Sequence, residues 1–246
     1  MRFMIGEERT TNPALERVPN DAVVQSCEDL YLRTNLMWVG LEGKLRTWSL
    51  KYGILCGPPI LRAPMFFMGA NPGGGEEAPL RTTWPKTFEY GDEQVTYKLA
   101  RFLQDVFRRA NRLNALQAST GANLLFFRSS EIAACPEGTG WGNNPPEIRS
   151  LLETFCRSET DKLIELLEPQ KLFIMGKTVF DRFVPKPHFE VLAPVDRWVA
   201  AMGMVKGRVA IGIMHPTGCH WRGTEKEALA RYLQDHVPAT DQRRTR

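Results

Sequence analysis

The chain has 246 residues, 43% of them hydrophobic and 24% charged, with 20 Gly and 17 Pro. This balance fills a core of domain size, which excludes global disorder and a collagen-like repeat. Net charge is only +4, no apolar run approaches the roughly 18 residues of a membrane span, and MRFMIGEERTTNPALERVP lacks the apolar centre of a signal peptide, so the expected compartment is the cytoplasm.

Residues 1–20 read as a loose arm. Asn20-Asp21 is a cap signal, and the pattern behind it predicts a helix over 21–41. Residues 42–63 are irregular, broken by Gly57, Pro58 and Pro59. Four apolar runs follow: MFFM (65–68), ANLLFF (122–127), KLFIM (171–175) and VAIGIM (209–214). Each has the length and continuity of a strand buried on both faces. Between and after them, helical spacing predicts helices over 95–110, 147–167 and 224–236. Strands alternating with helices imply parallel pairing, hence a three-layer α/β/α sandwich around a short, mainly parallel sheet of about four strands. Residues 1–60 are expected to form an arm and a helix packed on the core, and residues 61–240 the sandwich, as one domain overall.

Charge is unevenly spread. Residues 96–128 carry Lys98, Arg101, Arg108, Arg109, Arg112 and Arg128 against Asp105 alone, which suits either a polyanionic partner or a solvated helix face. The 5 cysteines include no CxxC pair and signal neither a disulfide framework nor a zinc ribbon. His215, Cys219 and His220 lack a fourth ligand at a usual metal spacing.

In parallel α/β sheets the ligand site lies beyond the carboxyl ends of the strands. The first run ends in Gly69-Ala70-Asn71-Pro72-Gly73, which is neither GxGxxG nor a Walker A loop, and Pro72 removes an amide that a phosphate cradle would use. Asn71 either closes a tight turn on its own backbone or faces a ligand. Asn123, near the start or middle of the second run, is either a satisfied structural amide or a donor–acceptor pair suited to the imide edge of a pyrimidine. The third run enters Gly176-Lys177-Thr178, but Lys171 stands where a P-loop requires Gly, which excludes an NTPase. Lys177 and Thr178 are then solvated or contact a DNA phosphate. The fourth run ends in His215-Pro216-Thr217-Gly218, and its His shares the strand-end edge with Asn71 and Asn123.

In this order, GANPG (69–73), a strand carrying Asn123 and a last strand ending in HPT (215–217) resemble the uracil-DNA glycosylase superfamily, over roughly residues 64–236. The Asn form of the first motif is similar to the GxNPG loop of the mismatch-specific and single-strand-selective branches, and Thr217 keeps the hydroxyl of the usual HPS. The resemblance implies a monofunctional DNA glycosylase of base excision repair, acting as a monomer without metal or cofactor, that flips uracil or a related deaminated base out of DNA and hydrolyses its bond to the sugar.

By this resemblance Asn71 would position the attacking water. His215 would stabilise charge developing on the base oxygen, a donor worth roughly 3–4 kcal/mol. Asn123 would read the Watson–Crick edge, with Gly69 and Ala70 beside it. Trp84 or Phe88 would supply the stacking ring. Gly73 stands where the strictest uracil enzymes carry a Tyr that blocks the thymine methyl, which opens the pocket to other modified bases. Lys177, Thr178, Thr217, Gly218 and the 219–222 loop would touch phosphates, with Trp221 or Arg222 wedged into the duplex. NNPPE (143–147) and Cys156 are similar to part of the iron–sulfur branches, but the N-terminal CxxC is missing and no cluster is expected. Residues 1–60 and the 128–146 loop have no counterpart in the resemblance. A non-catalytic nucleic-acid-binding protein on the same fold and a hydrolase of free nucleosides or nucleotides are the competing readings. A Schiff-base mechanism would have only Lys177 at the strand ends.

Overall fold

A computed structural model describes residues 20–41, 43–45, 51–72, 80–184 and 197–239. The expected arm lies outside these residues except for Asn20. Helix α1 (Asp21–Gly40) begins where the cap signal places it, because the Asn20 side chain accepts a hydrogen bond from the Ala22 amide at 3.0 Å. β1 (Met65–Gly69), α2 (Lys98–Arg109), α3 (Leu113–Gln117) and β2 (Thr120–Asn123) follow. Then come α4 (Pro146–Leu167), β3 (Lys171–Met175), α5 (Lys177–Phe183), β4 (Ala200–Val205), β5 (Arg208–Ile213) and α6 (Gly223–His236).

The sheet has five strands in the order β2-β1-β3-β5-β4. The pairs β1–β2, β1–β3 and β3–β5 are parallel, and β4 pairs antiparallel with β5. The protein is therefore the expected α/β/α sandwich with one strand more than expected. That strand, AAMGMV, has too little β-branched character to stand out in the sequence. It is joined to β5 by Lys206 and Gly207, both at positive φ (48° and 74°), which is the two-residue turn that matches strand twist.

Alternation along each strand divides the core. Phe66, Met68, Leu172 and Ile174 face α1, α4 and α5. Phe67, Phe173, Ile211 and Ile213 face α2 and α6. Gly212 lets α5 approach the sheet, since a Cβ there would lie 2.2 Å from the Phe180 ring.

The second strand differs from its expected position. β2 starts at Thr120 and ends at Asn123, so Asn123 is its last residue rather than one near its start or middle. Leu124–Phe127 continue beyond β2 and stay bonded to the end of β1, the Leu124 and Leu125 amides donating to the Gly69 and Ala70 carbonyls. The outer edge of this segment is covered by residues 52–56, through antiparallel bridges Tyr52–Phe127 and Leu55–Ala122. The supposedly irregular stretch before β1 thus belongs in part to the sandwich. The 128–146 loop is tied to itself: Asn143 Oδ1 accepts from the Cys135 and Gly140 amides, its Nδ2 donates to the Cys135 carbonyl, and the Trp141 indole donates to Glu153 of α4. No described helix is long and apolar enough to cross a membrane.

Candidate active site

Gly69 and Asn123 are register partners, so their side-chain positions lie on one face of the sheet. A Cβ on Gly69 would sit 2.7 Å from Asn123 Oδ1. Glycine is required here by close approach: the carboxamide occupies the space its missing side chain leaves. Asn123 is 8% exposed, and no hydrogen bond among the described residues engages its amide. Its carboxamide is not among the fully buried polar groups left without a partner, and it carries both a donor and an acceptor.

Asn71 is held differently. Its Nδ2 donates to the Ser129 carbonyl at 2.8 Å and lies 3.0 Å from the Ser129 hydroxyl. A carbonyl only accepts, so the NH2 group faces Ser129 and the amide orientation follows. Oδ1 is left as an acceptor with no donor bound to it among the described residues. Of the two sequence readings, a turn closed on its own backbone keeps only a 3.5 Å contact to the Pro72 carbonyl. Ser129 is one of the polar residues that end the second apolar run, and the sequence by itself assigns it no role.

His215 follows β5. The Thr217 amide donates to its Nδ1 at 3.3 Å, with the Thr217 hydroxyl at 3.0 Å, and the Gly218 amide donates to its carbonyl. An amide N–H can only donate, so Nδ1 is the bare nitrogen and the proton of the neutral ring is on Nε2. Burial pushes the imidazole below its ordinary value of about 6.5, which keeps that neutral form at pH 7. The ring packs beside Gly176, whose added Cβ would lie 3.8 Å from His215 Cβ. The Met175 methyl lies 3.7 Å from the Cβ position of Gly69. The end of β3 therefore sits between His215 on one side and Gly69 with Asn123 on the other.

Electrostatics beside the Asn71 loop are positive. Pro72 Cβ, Arg128 Nη2 and Arg81 Cδ all lie within 3.8 Å of the Cβ position of Gly53. Arg81 pairs with Glu89 at 2.5 Å. Burial, and then the Arg81 charge, lower the Arg128 pKa, although the Glu89 carboxylate works in the opposite sense.

The two candidate rings separate. Phe88 lies on the Asn123 side of the sheet, 5.1 Å from Phe67 and 5.1 Å from Tyr90, and is only 2% exposed. Trp84 lies with the opposite cluster, edge-on to Tyr31 of α1 at 5.8 Å. Ala70 is half-buried and bonds Leu125 through its carbonyl. Gly73 lies outside the described residues.

The expected phosphate contacts divide as well. Lys177, Thr178, Thr217, Gly218 and Arg222 are exposed, with Lys177 paired to Asp181. Trp221 is not available as a wedge: it is 8% exposed and packs on Phe102 at 4.8 Å, because α2 and α6 meet there. Glu225, fully buried, fixes the end of this loop. It accepts from Arg197 and from the Arg222 amide, and Arg197 also donates to the His220 carbonyl at 2.6 Å. Burial alone would raise the Glu225 carboxyl; these bonds more than offset it and hold it below its usual range.

The basic stretch is largely structural. Arg108 pairs with Glu93, and Arg109 with Asp105 and Glu227. Arg112 donates to the Gln234 and Val237 carbonyls at the end of α6. α2 runs back toward the start of β2, so Arg108 and Arg109 lie roughly 15 Å of helix away from its strand-end terminus. Lys98 and Arg101, in the first turns, remain exposed. No three of His, Cys, Asp and Glu converge as a metal-binding set among the described residues. No protein-family model matches the chain, and no curated protein does either.

Proposed function

We propose that the protein is a DNA glycosylase that hydrolytically removes uracil or a related deaminated base flipped into the strand-end cleft. The observation that carries this reading is the difference between the two amides. Asn71 is clamped through its NH2 and offers only its oxygen, while Asn123 offers a whole carboxamide above Gly69. An acceptor without basicity orients a water, and a carboxamide pairs with an imide edge.

The chemistry runs through charge separation. The bond between the sugar C1′ and the base nitrogen breaks, leaving a cationic sugar and an anionic base. The His215 Nε2–H, preorganised by Thr217, donates to the base oxygen that gains charge. The water oriented by Asn71 bonds to C1′ and releases its proton to solvent, since Asn cannot take it. β1 and β5 lie two inter-strand spacings apart, ~10 Å, on either side of the end of β3. Lys177, paired with Asp181, makes a poor Schiff-base nucleophile, and this favours plain hydrolysis. The internal pairing of Arg108 and Arg109 weakens the charge argument for a purely nucleic-acid-binding role.

The test is incubation of single- and double-stranded oligonucleotides containing uracil or hypoxanthine, with no cofactor, followed by alkali. Strand cleavage at the modified base is expected, and its absence on every substrate would overturn the reading. Asn71→Ala is expected to lower the single-turnover rate far more than DNA affinity.

A further inference from the structure

We propose that a cavity between α1 and the 82–84 turn is a second nucleobase site, one that selects a base carrying an exocyclic amino group. The cavity holds about 370 Å³, within the range of small-ligand pockets. Trp84, half-buried, supplies the aromatic surface and is braced edge to face by buried Tyr31 at an interplanar angle of 62°, with buried Tyr52 beside them. Flat rings stack on such surfaces whatever their sequence context.

The polar groups choose among flat rings. Glu28, Tyr31 and Asn35 fall on one face of α1 and all line the cavity. The Tyr52 hydroxyl donates to Asn35 Oδ1 at 3.2 Å, which leaves the Asn35 NH2 as a donor. Glu28 adds an acceptor and Thr82 a hydroxyl. A carboxylate accepts from the amino group of cytosine or adenine, which uracil and thymine lack. The cavity also adjoins the strand-end site: Tyr52 lines it, and the next residue, Gly53, lies against Pro72 of the Asn71 loop. The base could therefore belong to a DNA strand or to a free nucleoside. Neither source requires base excision at Asn71.

Calorimetric titration of the full chain with cytidine, adenosine, uridine and single-stranded oligo-dC and oligo-dT tests this. Cytidine or oligo-dC is expected to bind at least tenfold tighter than its uridine or oligo-dT counterpart. Glu28→Gln should abolish that preference. Trp84→Ala should weaken binding by about 5- to 150-fold, the range for one stacked base, while Trp84→Phe retains most of it. Binding of cytidine alone identifies a free nucleoside as the source, and binding of oligo-dC alone a DNA strand. Glu28→Gln and Trp84→Ala proteins that bind as the parent does, or a parent that binds none of these ligands, would overturn the proposal. Uracil release measured alongside reports separately on the strand-end site.

Discussion

Ser129 holds Asn71 by its NH2 group, with the backbone carbonyl at 2.8 Å and the hydroxyl at 3.0 Å, across a separation of 58 positions in the chain. The clamp engages the Asn71 NH2 group and leaves its Oδ1 as the acceptor that the proposed reaction would use. Ser129→Ala removes the hydroxyl and leaves the carbonyl. A single neutral hydrogen bond contributes about 1 kcal/mol, or roughly fivefold in rate. The expected result is a kcat for base release lowered by that factor with KM unchanged. A change in KM alone would show that Ser129 serves binding rather than orientation.

Gly69 and Asn123 compete for one volume. Gly69→Ala places a methyl 2.7 Å from Asn123 Oδ1 and is expected to cost about 1–3 kcal/mol in stability, as overpacking does. Asn123→Ala in the same chain removes the clash. The double variant should therefore melt at a higher temperature than Gly69→Ala alone, and additive losses in thermal denaturation would show that the two sites are not coupled.

The pH response follows from His215. Burial lowers its folded pKa below the ordinary value of about 6.5, so base release should stay level as pH drops through 6.5 and decline only below it. Stability has the same sign. The unfolded imidazole takes a proton near pH 6.5 and the folded one only at lower pH, so the unfolded state gains and stability falls across that interval. His215→Ala should remove the acid limb of the rate profile together with about 10²- to 10³-fold in rate. Persistence of that limb would assign it to another group.

Arg197 and Glu225 secure the 220–225 turn. Glu225 is fully buried, so Arg197→Ala leaves a charge without its main partner and should cost about 3–5 kcal/mol in chemical denaturation. Because Glu225 is held below its usual value of 4.5, its contribution is complete above that pH and is lost as pH falls through the lower folded pKa. Parent and variant should therefore converge in stability at strongly acidic pH.

Much of this molecule was readable from local pattern. Asn20 announced α1, continuous apolar runs announced buried strands, and polar residues at their ends marked Asn71 and His215, because a strand buried on both faces must be apolar until the chain turns. Folding itself settled the rest. Ser129 reaches Asn71, Arg109 reaches Glu227, and Trp221 sinks onto Phe102 because elements distant in sequence pack together. Trp84 and Phe88, four residues apart with equal claims in the sequence, end on opposite faces of the sheet. Hydrophobic spacing says that a side chain is buried; which neighbour it meets depends on how whole faces dock, and no local periodicity encodes that.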